Sequence, residues 1–256
     1  MRTKASKEIV MSKYNKVYFL HIPKTGGRFL TKYIFRPMES ILADNGIELV
    51  KSPEDMRQHA GWPSWIDDKT YIVSVFREPC EFFVSSVCHA EASKRGLIDQ
   101  ENWHIIKKGT EFTVDKDELY GALNRWEYIK DFQSQNFALS PDPERMSVLH
   151  ESMAKHKNNE SFDTEEIYKR IKRVNLMIRH KDLKFMDYNL LVDKISQDLG
   201  IEIDINISSA DKEYFKNKSS EVLFNSLNQE DKDFIGKHFP LDKEIYDDDS
   251  LFWAGK

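Results

Sequence analysis

Two short stretches of the chain hold residues whose types and spacing suit phosphate chemistry. The first is Lys24-Thr25-Gly26-Gly27. Glycines without side chains let backbone N–H groups converge on one point, and a lysine adds a full charge beside them. Apolar residues at helical spacing follow (Phe29, Leu30, Tyr33, Ile34), so a helix N-terminus adds positive potential at the same place. The lysine precedes the glycines, so the G-x-x-x-x-G-K-S/T loop of many nucleotide-binding proteins is absent. The second stretch begins at Arg77, whose guanidinium suits paired hydrogen bonds to a phosphate. Ser85, two helical turns on, can offer a hydroxyl to the same group. The competing reading makes Gly26-Gly27 a plain tight turn. It pairs Arg77 with Glu78 or Glu81 as an exposed ion pair and leaves Ser85 as a small packing residue.

The elements that must position these residues are partly visible in the pattern. Val17 to Ile22 is an apolar, aromatic run that predicts a buried strand stopped by Pro23. Tyr71 to Phe76 is β-branched and nearly all apolar, as a central parallel strand should be. Both runs end at a cationic residue, and in open α/β sheets ligands sit at the carboxyl ends of strands. Pro79 suits the first position of a helix running to about Ser93. Ile47–Val50 and Val174–Ile178 are further candidate strands. Helices are expected over 117–132, 164–174, 183–199 (closed by Gly200) and 230–238, with Pro37 interrupting the pattern between the first helix and a short helical piece over 38–43 that ends at Asn45-Gly46. Residues 1–15 read as a loose lead-in, 51–69 and 201–220 as loops, and 97–170 as a mostly helical elaboration. Alternating strand and helix patterns predict a three-layer α/β fold with a mainly parallel sheet, in one domain over 1–256.

With 256 residues, 40% of them hydrophobic, the chain can bury a sizeable core, and its net charge of −5 argues against binding nucleic acid through bulk charge. An anionic ligand must then be held by a local cluster. No apolar run approaches the ~18–20 residues needed to span a bilayer, and the N-terminus lacks the apolar core of a signal peptide. Cytoplasmic residence is therefore expected. Cys80 and Cys88, eight residues apart on one predicted helix, would stand about 12 Å apart, beyond the ~7 Å limit for a disulfide. Buried thiols are expected, and no metal.

The segment His21-Ile22-Pro23-Lys24-Thr25-Gly26-Gly27 resembles the 5′-phosphosulfate-binding loop of the sulfotransferase family. Phe76 to Ser86 is similar to that family's 3′-phosphate segment, in which an arginine is followed by a proline two residues later and a serine eight later. The likeness is closest to the carbohydrate O-sulfotransferase branch and covers residues 16–90. It implies a P-loop-kinase-like α/β fold and the donor 3′-phosphoadenosine 5′-phosphosulfate, with adenosine 3′,5′-bisphosphate as product. By that resemblance Lys24 would contact the 5′-phosphate and the bridging leaving-group oxygen, and Thr25, Gly26 and Gly27 would cradle the phosphate. Arg77 and Ser85 would hold the 3′-phosphate. Lys218 resembles part of a C-terminal loop that closes over the nucleotide. Relatives carry Thr or Ser where this chain has Arg28, which either substitutes a charge for the missing hydroxyl or leaves Thr31 to reach in from the next turn.

Sulfuryl transfer also needs a base for the acceptor hydroxyl, commonly worth about 10²–10⁴-fold in rate. His59 is the candidate, because related 2-O-sulfotransferases carry a catalytic histidine in a loop before this strand. Glu54 is the fallback, His89 a more distant option, and His21 a buttress for the loop. The expected acceptor is a glycan, a lipid head group or a small hydroxylated metabolite, with Trp62, Trp65 and Trp103 available either for stacking or for the core. Two other readings stand beside this one: a small-molecule or nucleotide kinase on the same general fold, and a catalytically inactive nucleotide-binding scaffold. Nothing in the sequence assigns an oligomeric state.

Overall fold

Four strands among the described residues build one sheet: β1 (Lys16–Leu20), β2 (Glu48–Val50), β3 (Thr70–Phe76) and β4 (Leu176–Arg179). The computed structural model describes residues 12–50, 61–98, 112–139, 148–158, 160–205, 207 and 218–255. All strand pairs are parallel and the order is β2-β1-β3-β4, with Leu20 beside Ser74 and Phe76 beside Arg179. Every residue of β3 is buried, which is why it reads as a continuous apolar run rather than an alternation.

Side chains alternate between the two faces with the strand period of two. Val17, Phe19, Tyr71, Val73, Val75, Leu176 and Ile178 face one layer of helices. That layer holds α1 (Gly27–Leu30), a π-helical turn (Thr31–Phe35), α2 (Arg36–Asp44) and α9 (Tyr188–Leu199). The intervening helices are α3 (Pro79–Lys94), α4 (Lys116–Arg125), α5 (Phe132–Ala138), α6 (Val148–Lys157), α7 (Thr164–Ile171) and α8 (His180–Leu183). After α9 come α10 (Lys218–Ser226), α11 (Gln229–Gly236) and α12 (Pro240–Asp247). Tyr18, Leu20, Ile72, Phe76 and Met177 point the other way, onto α5, α7 and α12 through Phe137, Ile167, Ile171 and Ile245. A third cluster joins α3, α4, α10 and α11. The result is a three-layer α/β fold.

Several expected boundaries shift for identifiable reasons. Pro37 does not interrupt the first helix. The backbone stays helical from Gly27 to Asp44 because a π-turn precedes the proline, with the Arg36 N–H reaching back to Thr31 O. A wider turn relieves the clash between a proline ring and the carbonyl four residues back. The helix expected over 117–132 breaks at Trp126, passes through a 3₁₀ turn (Glu127–Ile129), and restarts after Asp131, whose φ is 52°. The helix expected from 183 begins at Tyr188, where Asp187 caps it, and ends at left-handed Gly200. The helix expected to reach 174 ends at Ile171. The stretch expected to be loop through 220 is helical from Lys218, and α12 opens at Pro240, where no helix was expected.

Strand order reverses between β1 and β3. From β1 the chain adds β2 on one side and β3 on the other. In open α/β sheets ligands bind at the carboxyl ends of the strands beside such a reversal, and the two phosphate-suited stretches lie at those ends.

Candidate functional site

After Leu20 the chain leaves the sheet and turns through Pro23 to Gly26 before the helix opens at Gly27. Two residues of this turn take left-handed backbone: Lys24 at φ 62° and Gly26 at φ 89°. Glycine takes that region freely, whereas a lysine there is strained by its Cβ. Thr25 is fully buried, and its hydroxyl donates to Ile22 O at 2.8 Å, locking the loop onto its own start. Thr31 donates to Gly27 O at 2.9 Å. The expected second hydroxyl from the next turn is thus engaged with the helix backbone. His21 stacks on Phe19 with ring centroids 5.4 Å apart and lies so close over Gly27 that an added Cβ would overlap its Cδ2 and Nε2 atoms. A Cβ at position 27 fits only if the His21 ring moves, and that ring packs against the start of the helix.

The β3 end is clamped from several directions. Arg77 N donates to Gln133 Oε1 at 2.8 Å, and Gln133 Nε2 donates back to Arg77 O at 2.9 Å. The Arg77 guanidinium donates through Nη1 to Lys24 O at 2.8 Å, so the two strand-end loops are tied directly. Its Nη2 donates to Glu81 Oε1 at 2.9 Å. Its Nε is buried with no hydrogen-bond partner among the described residues. The Arg77–Glu81 pair anticipated by the competing reading does form, but it is part-buried rather than exposed. Glu78 instead caps α3, accepting from Glu81 N at 2.6 Å.

Glu81 gathers two further groups from the segment after β4: Lys184 Nζ at 3.1 Å and His180 Nδ1 at 3.6 Å. Burial alone would raise the Glu81 carboxyl, yet the adjoining His180 imidazole and Arg77 guanidinium outweigh it and hold the group well below the usual range. Burial, with Arg77 beside it, lowers the His180 pKa to about 4, so the ring is neutral at pH 7. Ser85 is buried on α3 one turn beyond Glu81, and Cys88 follows after another turn. Burial pushes the Cys88 thiol up to about 12, while Arg77 and Lys24 pull it the other way. Both cations therefore lie near this face of α3.

A second tier of residues, invisible to local pattern, sets Arg77 in place. Asp242, fully buried at the start of α12, accepts from Gln133 N at 3.2 Å and Ser134 N at 2.8 Å, the open amides of α5. Asp131, just before α5, accepts from Asp242 N at 3.0 Å. Each aspartate caps the other's helix, and Gln133 carries that rigidity to the Arg77 peptide. Glu81 and Arg77 stand four residues apart at a predicted helix start, a signal the sequence does carry. Gln133, Asp242 and Lys184 have no such local signature.

No match was found among family models, curated proteins or solved structures. The geometry therefore carries the functional reading. His59 and Glu54 lie in 51–60, outside the described residues. The backbone of Arg28 lies in the first turn of α1, and Lys218 opens α10 rather than lying in a loop; neither side chain is among those described. Trp62 is buried, with the guanidinium groups of Arg170 and Arg173 at 5.7 and 5.8 Å from its ring, so it belongs to the core. Trp65 is 39% exposed and meets Tyr18 edge-on at 5.1 Å; Trp103 lies outside the described residues. No helix among the described residues is long and apolar enough to cross a membrane. Cys80 and Cys88 are free and buried.

Proposed function

We propose that this chain is a sulfotransferase that binds 3′-phosphoadenosine 5′-phosphosulfate across the ends of β1 and β3. The observation that carries this reading is the bond from Arg77 Nη1 to Lys24 O, made by a buried guanidinium whose Nε has no partner among the described residues. It ties the loop that carries Lys24 to the one that carries Arg77, beside the reversal of strand order, which supports the reading. A nucleotide phosphorylated at both its 3′ and 5′ positions matches that pair. Lys24 and the amides opening α1 serve the 5′-phosphate, while Arg77 and Ser85 serve the 3′-phosphate, with Lys218 and Arg28 as further contacts.

In the reaction the acceptor oxygen attacks sulfur while the sulfur–oxygen bond to the 5′-phosphate breaks. The acceptor's proton passes to His59, with Glu54 as the alternative base. Charge that develops on the departing phosphate is stabilised by Lys24. The acceptor class is a carbohydrate, a lipid head group or a small hydroxylated metabolite, and the compartment is the cytoplasm, which suits two unpaired thiols.

Calorimetry with adenosine 3′,5′-bisphosphate and with Mg-ATP tests the reading. Bisphosphate binding that needs no Mg²⁺ and weakens at least about tenfold in Arg77→Ala is expected. A preference for Mg-ATP overturns the reading in favour of a kinase. A transfer screen with labelled donor over glycans, phenols and lipid alcohols then identifies the acceptor, and no transfer to any of them supports an inactive scaffold. His59→Ala is expected to keep bisphosphate affinity and lose about 10²–10⁴-fold in turnover; an unchanged rate removes His59 from the mechanism.

A further inference from the structure

Lys184 belongs to neither sequence motif, yet it reaches the same corner. Its Nζ lies 3.1 Å from Glu81 Oε1, the very oxygen that Arg77 Nη2 bonds at 2.9 Å. Two cations thus share one carboxylate oxygen. Their nitrogens can be no farther apart than those two bonds laid end to end, a gap that one phosphate group bridges by accepting from each nitrogen through a different oxygen. Lys184 arrives after β4, whose last residue pairs with Phe76 at the end of β3, so it approaches Arg77 from the neighbouring strand end. Ser85 approaches from α3.

At this contact two cations share one carboxylate, and the nearby Glu78 carboxylate is engaged with the Glu81 amide. Glu81 offers one negative charge to Arg77 and Lys184, and His180, which faces its other oxygen, is neutral at pH 7. Arg77 also retains donor capacity at a buried Nε after its bonds to Lys24 O and Glu81. A buried donor without an acceptor is costly, and an anion bound at this corner would supply one. We infer that Lys184 is the second cation of the 3′-phosphate site and that Glu81 is a placeholder carboxylate, holding both cations until the phosphate takes them. This rests on the nucleotide reading above. A phosphate dianion carries more oxygens and more charge than one carboxylate, so it satisfies both cations. Glu81 then stands beside it as a like charge that weakens binding.

The test is titration of adenosine 3′,5′-bisphosphate and adenosine 5′-monophosphate into the wild type, Lys184→Ala and Glu81→Gln. Lys184→Ala should lose about tenfold in bisphosphate affinity and less than about twofold for the monophosphate. Glu81→Gln keeps an acceptor for Arg77 and should bind the bisphosphate about threefold more tightly, with the monophosphate unchanged. If Lys184→Ala melts early, Lys184→Met, which keeps the apolar stem, carries the same comparison. Equal losses for both nucleotides, or none, overturn the role of Lys184. No gain in Glu81→Gln overturns the placeholder. If the wild type binds neither nucleotide, the reading of the site falls and this inference falls with it.

Discussion

With a φ of 62°, Lys24 holds a backbone conformation that costs a non-glycine residue about 1–2 kcal/mol. Such strain persists where the surrounding structure over-determines it, and here the buried Thr25 hydroxyl and the Arg77 bond to Lys24 O do so. Lys24→Gly should therefore melt higher than Lys24→Ala by about 1 kcal/mol in stability, although both lose the cation and its ligand affinity. Equal melting of the two variants would show that the backbone is unstrained. At Gly27 the constraint is space. Gly27→Ala drives a methyl into the His21 ring and should cost about 1–3 kcal/mol. In a His21→Ala background most of that cost should vanish, and thermal melts of the four proteins measure the coupling. These residues were legible in the sequence because a loop of four residues announces its own geometry. Of Arg77's partners only Glu81, four residues on, was legible; Gln133 is 56 residues away and follows no spacing rule.

At the level of elements, the strands were the easiest to see. β3 is fully buried, so its β-branched run has no competing explanation. The helices were blurred wherever a cap came from afar. Nothing local to Trp126–Asp131 reveals that Asp242, more than a hundred residues on, caps the restarted helix. That exchange of caps between α5 and α12 has a pH signature. Burial, and then the charge of Asp131, raise the Asp242 carboxyl well above its ordinary 3.8. A folded-state pKa raised above the unfolded one means that the native state binds the extra proton. The penalty is absent below about pH 4 and grows as pH climbs toward the folded value. Asp131→Asn keeps the accepting oxygen and tolerates left-handed backbone while removing the like charge. It should stabilise the protein by on the order of 1 kcal/mol at pH 8 and by clearly less at pH 5. Melting curves that shift equally at both pH values would place the repulsion elsewhere.

For the molecule as a whole, the three-layer α/β class followed from alternating patterns, and the all-parallel sheet with its reversal between β1 and β3 supplies what those patterns could not: which strand ends are neighbours. The bond that joins the two strand-end loops spans 53 residues of chain, the Gln133 clamp 56, and the Lys184 contact 103. Each closure must be completed before its contact repays the lost chain entropy. The corner where these loops meet is therefore expected to form late in folding, once the sheet is in order. On dilution from denaturant, helical ellipticity should return first and nucleotide binding in a slower phase. Simultaneous recovery would mean that the loops find each other before the strands do.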